Sequence, residues 1–357
     1  MSVKKGPSGR YQARIFSHGK QVAMATFKKQ DDAEGWEATQ KAALYMGGWT
    51  NPRNADVLFG EVIDRFNSER LGTKSKHTYD TDENNLRNHV PAKMKMKPIG
   101  SITSSNLNTL YSAMMKTHAR STVLRFRDTL VACCKWAVGN GILVKNIAEA
   151  SEVPKGTGED IPPVRPLSVE QLASLIASAR EVSPAYADLI ELISLSGLRW
   201  GEAVELRVSD VDTFARPELV VSRSKSDGYN IKTTKSGRSR PVPLTSRAWT
   251  IVESQMAGKE PDALLFPGAR GGHLNAGYFR RKLDWSTISF GHRIHDLRHS
   301  AAAGWLRAGV SAKAVSLWLG HSNPAITHRV YSGYIRADSD TYNLSLLERA
   351  EAREELE

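Results

Sequence analysis

Apolar and polar positions alternate with period two along Tyr11-Gln12-Ala13-Arg14-Ile15 and again along Val22-Ala23-Met24-Ala25-Thr26-Phe27. Ser17-His18-Gly19 between them is a turn signal, so the pattern predicts a β-hairpin. Residues 31–45 open with acids and continue at helical spacing, and Gly47-Gly48 and Asn51-Pro52 mark the exit. From 56 to about 150 the period becomes 3.6, with Leu58, Val62, Ile63 and Phe66 on one apolar face and Leu107, Leu110, Tyr111 and Met114 on another. Residues 151–166 are rich in Pro, Gly and charge, which sets a linker at 154–166. Ser168-Val169-Glu170-Gln171 has the spacing of a capping box and opens a second helical region that runs to about 207. Three short extended runs follow: Leu219-Val220-Val221, Ile231-Lys232-Thr233-Thr234 and Arg240-Pro241-Val242-Pro243. The last two flank Lys235-Ser236-Gly237-Arg238 and are expected to pair as a hairpin about that turn. From 294 the chain is helical again, and 340–357 is an amphipathic run with Leu344 and Leu347 that ends in five acids, Glu348, Glu351, Glu354, Glu355 and Glu357.

Composition changes the picture in one direction. The 357 residues carry 49 Lys and Arg against 38 Asp and Glu, a formal net charge of +11, and a surface this basic attracts polyanions. With 40% hydrophobic residues the chain has material for real cores, and its length suits two to three domains. Seven of the basic residues, Lys4, Lys5, Arg10, Arg14, Lys20, Lys28 and Lys29, precede the first acid at Asp31. A small basic sheet backed by a helix is a plausible DNA-reading module, and a solvated hairpin without a ligand is the plainer alternative. Lys93, Lys95 and Lys97 form a basic loop that either touches phosphate or is simply solvated. Cys133 and Cys134 are neighbours in a helical run, where they make a poor disulfide, which fits a reducing cytoplasm. No apolar segment follows Lys4 and Lys5 as in a secretion signal, and no run of 18 apolar residues exists, so membrane and secreted classes are not expected.

Four signals with chemical content then occur in a fixed order: Gly197-Leu198-Arg199-Trp200-Gly201-Glu202, Lys235 at the hairpin tip, His295-Asp296-Leu297-Arg298-His299, and Leu319-Gly320-His321-Ser322 with Tyr331 ten residues after His321. Together these segments resemble the tyrosine recombinases of the phage-integrase type, over nearly the whole chain. The resemblance implies a multidomain, mainly α fold with small β-sheets. A small β-sheet plus helix at 1–50 would be an arm-type DNA-binding domain, 56–153 a helical core-binding domain, and 167–340 a mixed α/β catalytic domain. The tail at 341–357 would be a helix that docks on a neighbouring protomer or packs on its own chain. Carried over by position, Arg199 and Arg298 match the catalytic arginines, His295 the His/Lys position of the HxxR motif, His321 the histidine of the later Leu-Gly-His-Ser segment, and Tyr331 the nucleophile. Lys235 matches the hairpin lysine, with Lys232 as its rival three residues earlier. Tyr331-Ser332-Gly333-Tyr334 replaces the usual Tyr-x-His, and Lys145-Asn146-Ile147 replaces a common Asn-Pro.

The chemistry agrees with these residue types. Attack on a phosphodiester builds negative charge on the non-bridging oxygens, and guanidinium forks meet it with bidentate hydrogen bonds that do not titrate away. A tyrosine has a pKa of about 10, so its phenolate costs about 4 kcal/mol at pH 7 and needs a base or a cationic field. His295 with the two arginines is expected to supply that, Lys235 to protonate the leaving 5′-oxygen, and His321 to donate to a non-bridging oxygen. Glu202 is expected to hold Arg199 or the nearby backbone, with an ordinary surface Glu as the alternative. His295 and His299 at i and i+4 mimic a zinc pair, but Asp296 stands where a zincin has Glu and Arg298 adds positive charge. No metal or other cofactor is therefore expected.

The expected function is site-specific recombination of DNA through a 3′-phosphotyrosine, integrating and excising a mobile genome. Expected partners are double-stranded attachment sites of core and arm types, three further copies of the chain in a tetrameric synapse, a DNA-bending host factor and an excision directionality factor, in the cytoplasm of a bacterial host. A transposon or chromosome-dimer recombinase shares the chemistry, and a non-catalytic DNA-binding protein shares the fold. A metal-dependent nuclease is the most distant reading.

Overall fold

The computed structural model describes residues 3–47, 49–73, 75–155, 164–225, 228–229, 231–233, 239–321 and 323–334, with Leu344 and Glu348. Lys235, residues 156–163 of the expected linker and nearly all of the 341–357 tail lie outside the described residues. The chain divides into two compact units, Met1–Ile161 and Pro162–Glu357.

The first unit opens with strands β1 (Val3–Lys5), β2 (Tyr11–Ser17) and β3 (Lys20–Phe27), antiparallel in that order, and helix α1 (Gln30–Tyr45) packs on them. Alternation sets the faces as expected: Ala13, Ile15 and Ala23 are buried with Ala33 of α1, while Arg14 and Phe16 point outward. Strand β1 was not foreseen, because three residues are too few to show a period. His18 and Gly19 both take positive φ, +49° and +75°, as a tight hairpin turn demands.

Five helices follow: α2 (Phe59–Arg70), α3 (Lys76–His89), α4 (Ala92–Lys95), α5 (Ser104–Met114) and α6 (Arg120–Gly139). Their core joins Phe59, Val62, Ile63 and Phe66 to Leu107, Tyr111 and Phe126. Leu58, expected on that face, is instead the residue before α2 and is exposed, and Phe59 fills the core position. The fully buried Cys133 and Cys134 are free thiols in α6. Lys93 and Lys95 sit on α4 rather than in a loop, with Lys97 just beyond it, and Lys95 Nζ donates to the Arg87 carbonyl at 2.9 Å.

The second unit begins with α7 (Val169–Val182), closed at its start by the Ser168–Gln171 capping box that the spacing predicted. Then come α8 (Pro184–Ser196), α9 (Trp200–Ala203), and strands β4 (Val211–Asp212), β5 (Glu218–Val221), β6 (Arg223–Ser224), β7 (Lys232–Thr233) and β8 (Arg240–Pro243). The last two runs do not pair as the expected hairpin: β7 pairs with β6, whereas β8 pairs with β5 in the sheet β4-β5-β8. The break at Ser222 sends β6 off β5, so the segment carrying Lys232 belongs to a separate two-stranded ribbon. Helices α10 (Ser246–Met256), α11 (Ala276–Lys282), α12 (Trp285–Ile288), α13 (Ile294–Arg307), α14 (Ala312–Leu319) and α15 (Pro324–Tyr331) complete the unit. The largely buried α8 lies in the centre of the main core, touching α7, α10 and α13. A smaller cluster of Ala302, Leu306, Val315, Leu319 and Tyr331 seats α14 and α15 on α13.

Candidate active site

Two left-handed glycines bring the motif segments together. Gly197 ends α8 at φ +64° and Gly320 ends α14 at φ +65°, a conformation that costs glycine little. Neither could carry a side chain in place: a Cβ on Gly197 would lie 2.9 Å from Leu319 Cδ2, and one on Gly320 2.9 Å from Arg240 Cδ. The carbonyls of these turns become acceptors for the arginines. Arg298, one turn into α13 and 2% exposed, donates from Nη1 to the Gly197 carbonyl at 2.7 Å and from Nη2 to the Leu319 carbonyl at 2.6 Å. Arg199 donates from Nη2 to the Gly320 carbonyl at 3.3 Å, and its side chain remains 41% exposed.

Glu202 is the buried anchor beneath them. Its carboxylate accepts from the Arg199 backbone N–H at 2.9 Å and from Arg199 Nη1 at 2.8 Å, so it both caps α9 and orients the guanidinium. It also takes a bidentate pair from Arg240, at 3.0 and 2.6 Å. Burial alone would push the Glu202 carboxyl up, but the hydrogen bonds and charge of Arg240 and the charge of Arg199 outweigh it and hold it below its usual range. Arg240 Nε reaches the Trp318 carbonyl at 2.8 Å, so this one side chain ties β8, α9 and the end of α14 together. Glu202 has the role its place in the Gly197–Glu202 segment predicts, whereas Arg240 shows in the sequence only as a charged residue opening a short strand.

The histidines are uncharged by their surroundings. Burial, then the charges of Arg298, Arg199 and Arg240, hold His321 down to about 4. Its Nδ1 lies 2.8 Å from the Thr327 hydroxyl, which as donor leaves Nε2–H free to donate elsewhere. Desolvation, followed by Arg298, also lowers His295, although its ring opens to solvent. His299 is pulled to about 4 by burial, then by His295. Tyr331 is 1% exposed, and burial pushes its hydroxyl up to about 12, partly offset by Arg298. The phenolate at pH 7 then costs about 7 kcal/mol rather than about 4. The partner of that hydroxyl is His299 rather than His295: His299 Nδ1 lies 2.6 Å from Tyr331 Oη. Tyr334, the neighbouring tyrosine, has committed its hydroxyl to the Val164 carbonyl at 2.8 Å.

Of the candidate residues, Arg199, Glu202, His295, Arg298, His321 and Tyr331 are thus gathered at one place. Only the backbone of Lys232 is described, in β7. The candidate DNA contacts in the first unit, Lys4, Lys5, Arg10, Arg14, Lys20, Lys28 and Lys29, are all exposed, and Lys4 and Arg14 share the sheet face turned away from α1. Lys93 and Lys97 are exposed, whereas Lys95 is half-buried.

Two guanidiniums on fixed carbonyls, neutral histidines and a histidine-bound tyrosine hydroxyl are groups that can together carry out covalent phosphoryl transfer. Residues 165–334 match the model of the phage integrase family. The chain is 26% identical over 347 residues to the integrase of Mycobacterium phage D29, covering 90% of both chains. It is 30% identical over 220 residues to the tyrosine recombinase XerC of Mycobacterium bovis (strain BCG / Pasteur 1173P2), covering 58% of this chain and 71% of that one. Its fold is similar to that of a lambda integrase tetramer bound to a Holliday junction, at 17% identity with a TM-score of 0.62, over 95% of this chain and 97% of that chain. The chain belongs to the phage integrase family of tyrosine recombinases.

Proposed function

We propose that the protein integrates and excises a mobile genome by cutting and rejoining DNA strands through Tyr331. The observation that carries this reading is that Arg199 and Arg298 are seated on the carbonyls of the Gly197 and Gly320 turns, next to His321, while the Tyr331 hydroxyl is held by His299 on the same helix as Arg298. Arg199 and Arg298 hold the scissile phosphate and stabilise the charge that grows on its non-bridging oxygens, and His321 donates a further hydrogen bond. Tyr331 gives its proton to a neighbouring histidine and Oη bonds to phosphorus, as the phosphorus–O5′ bond breaks and the 5′-oxygen leaves with a proton from Lys235. The 3′-phosphotyrosine conserves the bond energy, so a second 5′-hydroxyl can displace the tyrosine without ATP or metal.

In this proposal residues 56–153 and 167–340 bind the core sites where strands are cut, and residues 1–50 bind separate arm sites through their basic sheet face. Exposed Lys4 and Arg14 on that face favour an arm-binding integrase over a recombinase without such a module. The working assembly is a tetramer on DNA in the host cytoplasm, with a DNA-bending host factor and a directionality factor as further partners. Among the described residues no helix is long and apolar enough to cross a membrane.

The test is strand joining between DNA fragments flanking the protein's own gene, in EDTA. Wild-type protein gives joined product and Tyr331→Phe gives none; product from the variant removes Tyr331 as nucleophile. Removing residues 1–50 abolishes joining while core-site cleavage persists, whereas full joining by the truncated chain contradicts the arm-binding role.

A further inference from the structure

We propose that His299 is a catalytic residue, the proton acceptor that holds and activates Tyr331. This rests on the recombinase reading above and replaces His295 in the role of base. Three observations carry it. The first is the contact itself: His299 Nδ1 stands 2.6 Å from Tyr331 Oη, within the reach a general base needs. The second is where the pair sits. Tyr331 is 1% exposed, its ring packed with Ala302, Leu306, Val315 and Leu319, so water has little access and proton acceptance falls to a protein group. The third is the helix geometry. His295 and His299 are one turn apart on α13, with rings edge to face and centroids 4.9 Å apart. His299 faces Tyr331 on α15, whereas the exposed His295 is left free to meet DNA.

The charge state agrees. His295 and Arg298, on α13, and Arg293, at its N-cap, disfavour a proton on His299, and only Asp296 on that helix favours it. His321, at the end of α14, is itself neutral at pH 7. In its Nε2–H tautomer a neutral imidazole presents a bare Nδ1 to the hydroxyl, and it is this form of His299 that accepts the Tyr331 proton. A phosphodiester held by Arg298 offsets that guanidinium's charge, which makes His299 more basic at the moment it is needed. As Oη bonds to phosphorus, its proton passes to Nδ1, the phosphorus–O5′ bond breaks, and the 5′-oxygen takes a proton from the acid. In rejoining, the incoming 5′-hydroxyl bonds to phosphorus and gives its proton back to that acid's conjugate base, while the imidazolium returns its proton to Tyr331 as the phosphotyrosine bond breaks.

The experiment measures the rate of covalent complex formation by the full-length protein on duplex DNA flanking its gene. Wild type, Tyr331→Phe, His295→Ala, His299→Ala and His299→Asn are compared. His299→Asn keeps an acceptor oxygen near Nδ1 but cannot take a proton, so it separates positioning from proton transfer. Both His299 variants are expected to bind duplex normally in gel shift and to form the complex about 10²- to 10⁴-fold more slowly. Added imidazole restores His299→Ala. The defect persists on 5′-bridging phosphorothiolate DNA, whose sulfur leaving group needs no acid. Rates near or above wild type in either variant, or imidazole rescue of His295→Ala in place of His299→Ala, overturn the proposal. If wild type itself forms no Tyr331-dependent complex, the recombinase reading fails and takes the assignment of His299 with it.

Discussion

At the scale of residues, the site is governed by one carboxylate shared between two guanidiniums. Removing the charge of Glu202 leaves Arg199 and Arg240 facing each other without compensation, and breaking such a buried pair costs about 3–5 kcal/mol. Glu202→Gln is therefore expected to lower unfolding stability by about 3 kcal/mol in urea and to slow cleavage about 10²-fold. Unchanged stability would mean that Arg240 is held by its Trp318 carbonyl contact alone. The buried histidines give a second prediction. His299 and His321 are depressed from 6.5 to about 4, so between those values the unfolded chain binds more protons than the folded one. Stability is then fully present above about pH 6.5 and is lost as pH falls towards 4. The melting temperature should drop between pH 7 and pH 5, and His299→Asn should flatten part of that slope; a flat wild-type profile contradicts the burial argument.

Elements decide what reaches the site and what reaches DNA. Most were legible in the sequence because their periods are strong: the hairpin at 11–27, the helix after it, the capping box at 168–171 and α13 from 294 were all expected. The pairing of β7 with β6 was not, since two-residue strands leave no alternation and strand partners depend on contacts distant in sequence. The catalytic motifs were equally legible as segments, yet the contacts between them were not. Nothing in His299's position relative to Tyr331, 32 residues away, says that the second histidine of the motif rather than the first meets the hydroxyl. Arg240 was hidden for the same reason, 38 residues from Glu202. For the basic sheet, the outward positions of Lys4 and Arg14 yield a prediction about that element alone. Lys4→Glu with Arg14→Glu should weaken duplex binding by the full-length protein and make its salt dependence shallower by about one unit per lost phosphate contact. Affinity equal to wild type at every salt concentration would return this face to a solvated surface.

The whole molecule combines a net charge of +11 with a site that contributes fixed cations of its own. Binding to duplex should therefore be dominated by phosphate contacts. With about six of them, affinity falls about 10³-fold between 50 and 200 mM salt, and a salt-insensitive affinity would be incompatible with this charge distribution. Catalysis, by contrast, should turn on a single oxygen. The most direct measurement is to incubate wild-type protein with duplex fragments flanking its own gene in EDTA, isolate the covalent complex, digest DNA and protein, and map the modified peptide by mass spectrometry. A nucleotide carried through its 3′-phosphate on Tyr331, and absent from the Tyr331→Phe protein, is the expected result. A nucleotide on Tyr334 or another residue, or a complex that forms equally well in the Tyr331→Phe protein, would contradict it.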